Sequence, residues 1–378
     1  WNVLNRFFPK WCFLVDTLLF GMDVAHVEPL LAESPVVLVA TGDTRGRGLA
    51  AARAIRAGEL VLISQPACMS VHRKHAPFIC ASCAAFSEDG LLSERCEACE
   101  CTHYCSAKCR AADAPLHEPH CDALRKLNAD RKLKKEETSF VRLLLRLLSR
   151  CASGAASLDS VTSLMSDHAG VKGYKRRKRQ RAAAARAFVK LLPRKGDAEP
   201  SALARQLEIC PKFRKARNVE ALLDRGPLNE FGLCELDGEA AGCGWYPSAA
   251  MVNSSCVPST AVQLEGAALH FYALRELRAG EEITFCYCTL AGGGELTRRA
   301  NLVESWGIDC ECERCCYEED PDMCASSSRA RIDAFDRAHV CVGCGNVAVP
   351  PERRPAALLE RGAGACCCGT FNALRDRV

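Results

Sequence analysis

The sequence has little excess charge of either sign and no internal repeat. Its 378 residues contain 50 lysines and arginines against 46 aspartates and glutamates, which gives a formal net charge of +4. This small excess excludes a protein whose whole surface attracts nucleic acid, so local clusters of charge must decide that question.

Long apolar runs are also scarce. Residues 11–20, "WCFLVDTLLF", follow Arg6 and Lys10 and are weakly similar to a signal peptide. Asp16 interrupts this run, which is too short to span a bilayer. No other stretch approaches the length of a membrane span, so we expect no membrane partner, and Met22 is a plausible start.

Cysteine, in contrast, is abundant. The 27 cysteines occur in close pairs such as CxxC and CxC, not at the scattered spacings of a disulfide framework. In a chain that otherwise resembles an intracellular protein, such pairs favour thiolate-bound zinc over disulfides. We therefore expect a reducing compartment and a nuclear or cytoplasmic location.

The densest group of metal-type residues lies between positions 80 and 121. Zinc requires four soft or borderline ligands in a tetrahedron, and a CxxC turn supplies two thiolates from one loop. Eight residues have suitable spacing and make two sites: Cys80, Cys83, Cys96, Cys99, Cys105, Cys109, His117 and Cys121. We interpret Cys101, His103 and His120 as bystanders. The alternative, reduced cysteines without metal, requires four close pairs to arise by chance.

A third metal site is predicted further along the chain. In "WGIDCECERCC", Cys310, Cys312 and Cys315 form a CxCxxC pattern, which is one ligand short of a structural zinc site. Cys256, in "MVNSSCVPST", has no cysteine neighbour, and we predict that it is the fourth ligand and not an ordinary buried thiol. Cys316 in place of Cys315 is a minor option.

The character of the sequence changes along the chain. Residues 36–66 alternate β-rich runs with a glycine turn, and strand-like segments such as "AALHFYALREL" and "EEITFCYCTL" return after residue 226. The region between the zinc segment and residue 226 is helical and basic, and Arg142, Arg146 and Arg150 share one helix face with leucines on the others. We predict an α+β protein in which two β regions form one unit and the zinc and helical parts are inserted between them.

Four motifs in this order resemble the SET domain. They are "RGRGLAAARAIRAGE", "GWYPSAAMVNSSCVPST", "GEEITFCYC" and the CxCxxC segment, and they span roughly residues 36–316. With its zinc segment inserted after the first strands, the chain resembles the SET-MYND (SMYD) type of protein-lysine methyltransferase. The resemblance implies a β-rich SET fold of short sheets with a knot-like C-terminal segment. It also implies methyl transfer from S-adenosylmethionine to an accessible lysine of a protein substrate, a histone or another protein.

The same resemblance implies a division of the chain and a pairing of the zinc ligands. The segments are an N-terminal extension (1–35), the first SET part (36–79), a MYND zinc finger (80–121), a helical and basic insert (122–225), the SET core (226–305), a post-SET zinc segment (306–316) and a tail (317–378). MYND fingers interleave their sites, which implies one zinc on Cys80, Cys83, Cys105 and Cys109 and another on Cys96, Cys99, His117 and Cys121. Ala114 stands where the family usually has an aromatic residue, so we expect an altered face for proline-containing peptides.

The cofactor-binding residues are likewise implied by the resemblance. Gly46, Arg47 and Gly48 correspond to a turn that meets the methionine end of the cofactor, since glycine lets a backbone approach a ligand closely. Asn229 and Asn253 resemble cofactor-contacting asparagines. An ordinary hairpin turn and two buried asparagines held by the backbone are the alternatives.

Tyr287 and Trp306 are the residues implied in catalysis, and the cofactor site is taken to include Tyr287. The phenol of Tyr287 would hydrogen-bond the incoming amine and align its lone pair with the methyl group. A strand tyrosine that only packs is the alternative. Trp306 stands where the family commonly has a second tyrosine, and it would wall a narrow apolar slot whose ring face favours an ammonium group.

Two positions depart from the family pattern. An Asn-His pair is replaced by Asn253-Ser254, and a Pro-Asn pair by Pro258-Ser259. Because the shorter hydroxyl of Ser254 replaces a histidine contact to the cofactor, we expect weaker cofactor binding. The alternative function is a catalytically weak or inactive scaffold, organised by zinc, that recruits peptides through its MYND finger.

Two further segments carry predictions. Seven of the ten residues from 172 to 181 are Lys or Arg, which is typical of a nuclear-import signal or a phosphate-contacting patch without sequence specificity. A solvated linker is the alternative. At the far end, Cys341 and Cys344 with Cys366 and Cys368 suggest a fourth, ribbon-like zinc site in addition to the three structural ones.

Overall fold

A computed structural model describes residues 26–339, apart from 42–45, 88–89, 131, 194–200, 234, 237–238, 288–294 and 325–326. The predicted ligands Cys341, Cys344, Cys366 and Cys368, the run at 11–20 and Met22 lie outside the described residues. None of the described helices combines the length and the apolar character needed to cross a bilayer.

The described chain alternates short strands with helices. The strands are β1 (Val36–Ala40), β2 (Arg47–Ala51), β3 (Leu60–Ser64), β4 (Cys68–Val71), β5 (Glu94–Arg95), β6 (His103–Tyr104), β7 (Glu230–Gly232), β8 (Glu235–Leu236), β9 (Glu239–Ala240), β10 (Gly242–Trp245), β11 (Asn253–Ser254), β12 (Thr260–Glu265), β13 (Ala268–Ala273) and β14 (Glu282–Phe285). The α-helices are α1 (Ala107–His117), α2 (Cys121–Ala129), α3 (Lys135–Ala152), α4 (Leu158–Thr162), α5 (Tyr174–Leu191), α6 (Ala202–Ile209), α7 (Ala216–Leu223), α8 (Gly226–Asn229), α9 (Glu295–Trp306), α10 (Glu313–Glu319) and α11 (Ser328–His339). Single 3-10 turns lie at Glu28–Leu31, Glu118–His120, Pro211–Arg214, Ala249–Met251 and Pro321–Met323.

Three small sheets join the two β regions, as predicted. Their strand orders are β1-β2-β14-β11, β4-β10-β7 and β12-β13-β3. Each sheet therefore pairs a strand from before the zinc segment with strands from after the helices. β11 and β14 run parallel, with Asn253 opposite Thr284, whereas β2 and β14 are antiparallel. These strands form because β-branched and aromatic side chains alternate into a shared core that includes Leu49, Phe271 and Ile283.

Helix α3 is buried on its leucine faces and also on its arginine face. Leu143, Leu144 and Leu147 are fully buried. The arginines point toward the segments that precede the helix: Arg142 donates to the carbonyl of Cys101 at 3.1 Å, and Arg150 to that of Ala67 at 2.9 Å. The predicted arginine face is therefore an internal contact between the helix and the zinc segment.

Arg146 makes the strongest of these contacts. Its guanidinium pairs with the buried Asp113 at 2.6 Å and donates to the carbonyl of Ala81 at 2.9 Å. The hydroxyl of Tyr104 donates to the same carboxylate at 2.8 Å. A buried carboxylate needs such partners because an unpaired buried charge is strongly destabilising.

The basic run from 172 to 181 corrects one sequence interpretation. It is not a solvated linker, because residues from Tyr174 onward form α5, which packs against α3 and α7. The helix begins after Gly173, whose φ of 78° lies in the left-handed region that favours glycine.

Candidate functional site

A cradle of backbone and side-chain groups surrounds Gly48 on β2. Asn253, on β11, donates from Nδ2 to the carbonyl of Arg47 at 3.1 Å and to Oε1 of Glu282 at 2.9 Å. A Cβ added at Gly48 would lie 2.7 Å from that Nδ2 and 3.1 Å from Cγ2 of Thr41. A side chain at position 48 would therefore fill the space that Asn253 occupies.

Three buried polar atoms of the described cradle residues have no hydrogen-bond partner. They are Oγ1 of Thr41, Nη1 of Arg47 and Oγ of Ser254. Buried polar atoms in folded proteins are nearly always paired, so such a group needs an explanation. Burial also lowers the pKa of Arg47, because the charged form loses water. These two hydroxyls and one guanidinium N–H can all donate, so a ligand with acceptor oxygens in this cradle would satisfy them.

Asn229 lies at the far side of the same region, on α8. Its Nδ2 is buried and donates to the carbonyls of Met165 at 2.7 Å and Arg225 at 2.6 Å. The 163–172 segment also accepts a hydrogen bond from Arg47, whose Nη2 lies 2.8 Å from the carbonyl of Ser163. Backbone carbonyls thus hold the amide of Asn229 near the segment that accepts Arg47, and its contact with a cofactor stays a prediction.

Tyr287 and Trp306 lie together at the edge of an aromatic cluster. Their ring centroids are 5.5 Å apart, and the ring of Phe285 lies 4.7 Å from that of Tyr287. The hydroxyl of Tyr287 donates to the carbonyl of Val252 at 2.8 Å. Burial raises the pKa of Tyr287, and the carboxylate of Glu282 raises it further, so the phenol stays protonated at neutral pH. Because its proton is directed to Val252, its oxygen lone pairs remain available to accept a hydrogen bond.

The structure brings the predicted zinc-ligand residues together in three groups. In each group one ligand atom per residue lies within 4.8 Å of the others: Cys80, Cys83, Cys105 and Cys109; Cys96, Cys99, His117 and Cys121; Cys256, Cys310, Cys312 and Cys315. The cysteines that the structure describes are free thiols. Each group therefore has the donor set of a structural zinc site.

The spacing within these groups also fits zinc. A tetrahedral site with Zn–S bonds of about 2.3 Å separates its sulfur atoms by about 3.8 Å, whereas a disulfide bond is about 2.05 Å long. The Sγ–Sγ distances are 3.7 Å for Cys83–Cys105, 3.5 Å for Cys105–Cys109, 3.6 Å for Cys96–Cys121 and 3.8 Å for Cys256–Cys315. In the second group, Nε2 of His117 lies 3.6 Å from Sγ of Cys99.

The residues interpreted as bystanders lie outside the three groups. His120 is buried and its Nδ1 contacts Oγ of Ser149 at 2.9 Å. Cys316 is exposed, and its thiol donates to the carbonyl of Glu311 at 3.4 Å. Cys101 is buried and His103 half-buried, and neither belongs to a described ligand group.

One loop connects the third group with the rest of the site. In this loop Asn253 holds the turn of Arg47, Val252 accepts the hydroxyl of Tyr287, and Cys256 reaches the third group. The backbone N–H of Cys256 also donates to Sγ of Cys312 at 3.4 Å. The segment 252–256 therefore connects the cradle, the tyrosine and the third ligand group.

The two departures from the family pattern differ in their surroundings. Ser254 has a buried hydroxyl without a partner. Ser259 is fully integrated: its hydroxyl accepts the N–H of Thr284 at 2.8 Å, and its N–H donates to Oγ1 of Thr284 at 3.0 Å. Only the change at Ser254 leaves a polar group unsatisfied.

Several residues of the site were not predicted from sequence. Glu282 holds Asn253, Thr41 faces Gly48, and the carbonyls of Ser163 and Met165 anchor Arg47 and Asn229. Glu282 lies within the "GEEITFCYC" motif, so the motif contained a signal for it. The two carbonyls have no sequence signal, because a backbone oxygen is present at every position.

Comparisons with known proteins show which family the chain matches. The family model described as the SET domain matches residues 46–288. The histone-lysine N-methyltransferase SMYD3 of Mus musculus is 29% identical over 285 residues, which cover 75% of this chain and 62% of the relative. The N-lysine methyltransferase SMYD2 of Mus musculus is 28% identical over 278 residues (72% and 58%), and the histone-lysine N-methyltransferase ASHR1 of Arabidopsis thaliana is 24% identical over 274 residues (72% and 53%). The chain thus spans less than two thirds of the length of these relatives.

Proposed function

The chain belongs to the SET domain family, in its SET-MYND branch, and from this premise we propose that it is an S-adenosylmethionine-dependent protein-lysine N-methyltransferase. The observation that carries the proposal is the loop 252–256, which links the cradle at Gly48, the hydroxyl of Tyr287 and the third cysteine group. A catalytically inactive scaffold is not favoured, because the relatives above are named as methyltransferases.

The proposed reaction depends on positioning. S-adenosylmethionine would supply an electrophilic methyl group, and the protein must present a neutral lysine amine in line with it. Arg47, Gly48, Asn253 and Ser254 would hold the cofactor, with Asn229 fixing the neighbouring segment. The unpartnered atoms of Arg47 and Ser254 support this role.

The lysine would enter between Tyr287 and Trp306. The oxygen of Tyr287 accepts a hydrogen bond from the amine and directs its lone pair, while the apolar walls disfavour the ammonium form by desolvation. The ring face of Trp306 attracts an ammonium group through cation–π interaction, which offsets part of this desolvation of the charged form. Each acts on the amine directly, so both are proposed as catalytic residues.

Zinc has a structural role in this proposal. The three groups would hold three ions: two in a MYND finger with interleaved sites, and one that fixes the post-SET segment against the loop of Cys256 in a knot-like arrangement. Structural zinc contributes on the order of 10 kcal/mol to the folding of small zinc domains, so these ions would decide whether the segments fold. The proposal also includes the seven-segment division of the chain, a fourth zinc site in the tail and a nuclear or cytoplasmic location.

The protein substrate would present an accessible lysine. Proline-containing peptides are the proposed ligands of the MYND finger, with its altered face at Ala114. The transfer of a labelled methyl group to histones and to whole-cell extract, followed by identification of the modified lysines, would define the substrate.

Cofactor binding tests the proposal directly. We expect calorimetry of the zinc-replete chain with S-adenosylhomocysteine to show saturable binding, because the cradle has unsatisfied groups for it. Absence of heat at millimolar ligand, in protein that contains its zinc and melts cooperatively, would favour the scaffold.

Gly48→Ala should weaken that binding at least about ten-fold, since the new Cβ would displace Asn253, whose Nδ2 lies 2.7 Å away. Gly232→Ala is the matched control: it is also a strand glycine, and its nearest neighbour is the Cβ of Ala240 at 3.2 Å, outside the cradle. Equal affinity of Gly48→Ala and the control would show that the cofactor does not use this turn.

A further inference from the structure

The outer side of α5 is basic. Its exposed residues include six cations, which we call the basic face: Lys175, Arg176, Lys178, Arg179, Arg186 and Lys190. At 100° per residue they lie within about half of the helix circumference. None of them forms an ion pair with the described residues. Two of the six lie beyond the 172–181 run.

On the opposite side of the same helix, aspartates neutralise the arginines. Arg181 is fully buried and pairs with Asp167 at 2.7 Å and with Asp224 at 2.7 Å. Arg177 pairs with Asp167 at 2.8 Å. Burial alone would raise the pKa of Asp167, but the hydrogen bonds from Arg177 and Arg181 hold it below its ordinary value. The carboxylates that contact α5 therefore pair with arginines on its inner side. No described carboxylate forms an ion pair with the six outer cations.

The composition of the basic face distinguishes between anionic partners. A helix that lies on a membrane needs bulky apolar side chains beside its cations, and no described residue of α5 is an exposed large hydrophobic. An acidic peptide usually needs a groove, whereas this surface is the ridge of one helix. A rigid polyanion with regularly spaced charges fits it better.

We propose that the basic face binds the phosphate backbone of double-stranded nucleic acid without sequence specificity. From Lys175 to Lys190 the helix extends about 22 Å, which corresponds to roughly six base pairs of a duplex at 3.4 Å per pair. Lysine and arginine at this density contact phosphates as charges. The aromatic residue beside the face, Tyr174, is half-buried and its ring is contacted by Lys178 and Arg181, so it offers no free platform for single-stranded bases.

The N-terminal end of α5 lies beside α9, the helix that contains Trp306. Lys172, just before α5, pairs through Nζ with Glu304 at 2.7 Å, and Glu304 lies two residues from Trp306 on α9. A duplex on this face would bring proteins that are bound to the same duplex near Tyr287 and Trp306. This consequence rests on the proposed function, whereas duplex binding does not.

The test is fluorescence anisotropy of the full zinc-replete chain with labelled 24-base-pair duplexes of mixed sequence, one of DNA and one of RNA, at increasing salt. The variant replaces Lys175, Arg176, Arg179 and Arg186 by Gln, which keeps helix propensity. Four lost phosphate contacts should weaken binding at least ten-fold at 0.1 M salt and reduce the slope of log affinity against log salt by about 3 to 4. The DNA and RNA arms show which duplex is preferred.

The control variant removes the same charge elsewhere. Arg53, Arg56, Arg275 and Arg278 are exposed and lie together, because Ile55 and Leu277 form a β-bridge. Replacing these four by Gln should leave the duplex affinity and salt slope unchanged. The proposal is overturned if both variants bind equally, if the wild-type chain binds neither duplex, or if it binds only anionic vesicles or poly-glutamate. Calorimetry with S-adenosylhomocysteine on the same samples reports separately on the proposed methyltransferase function.

Discussion

Tyr287→Phe should lower the turnover of methyl transfer by about ten- to a thousand-fold, which corresponds to about 1.4 to 4 kcal/mol of transition-state stabilisation. The hydroxyl donates to Val252 and Tyr287 is half-buried beside Trp306, so the phenol oxygen can still accept a hydrogen bond from the amine of the proposed substrate. Phenylalanine keeps the ring and its packing but cannot accept the hydrogen bond from the amine. Steady-state kinetics with labelled cofactor measures this loss.

The affinity for S-adenosylhomocysteine should barely change in this variant, because the cradle at Gly48 is formed by other residues. Tyr246→Phe is the matched control, since Tyr246 is buried and its hydroxyl also donates to a backbone carbonyl, that of Ala267 at 2.9 Å. Each substitution leaves one carbonyl without its donor, at a cost of about 1 kcal/mol in stability. If Tyr287→Phe loses cooperative unfolding without a specific loss of rate, Tyr287 has only a packing role.

The sequence predicted the parts of the fold that depend on local pattern. The alternating segments around Phe271 and Ile283 are strands, as their β-branched and aromatic side chains indicated. Spacing predicted eight metal-type residues for two sites between 80 and 121, and the resemblance to MYND fingers implied how they divide between the sites. The missing fourth ligand of the CxCxxC segment led to the prediction of Cys256. The structure brings these residues together, and the zinc ions themselves remain a proposal.

Long-range pairings of charge could not be predicted in the same way. The sequence showed that Arg142, Arg146 and Arg150 share a helix face, but it did not show that Asp113, 33 residues before Arg146, lies opposite it. Likewise Arg181 is indistinguishable in sequence from Arg179, although Asp167 and Asp224 neutralise only the former. Such partners depend on the packing of α5 against its neighbours, for which a run of basic residues contains no information.

Cys256→Ser should remove one equivalent of zinc and weaken S-adenosylhomocysteine binding, while the zinc of the first two groups remains. Serine nearly keeps the volume of cysteine but is a much poorer ligand for zinc than a thiolate. Without the ion, Cys310, Cys312 and Cys315 would no longer fix the loop that contains Asn253 and Val252. Metal analysis of the purified variant, together with calorimetry, measures both effects.

Cys316→Ser provides the matched control, because Cys316 follows Cys315 directly, is exposed, and makes only a weak contact to the carbonyl of Glu311. Its zinc content and cofactor affinity should equal those of the wild-type chain. If Cys316→Ser loses the ion and Cys256→Ser keeps it, the third group has a different ligand set. If both keep it, Cys256 is an ordinary buried thiol, and the loop 252–256 is held by its hydrogen bonds alone. Loss of zinc with unchanged cofactor affinity would mean that the ion stabilises the post-SET segment without shaping the cradle.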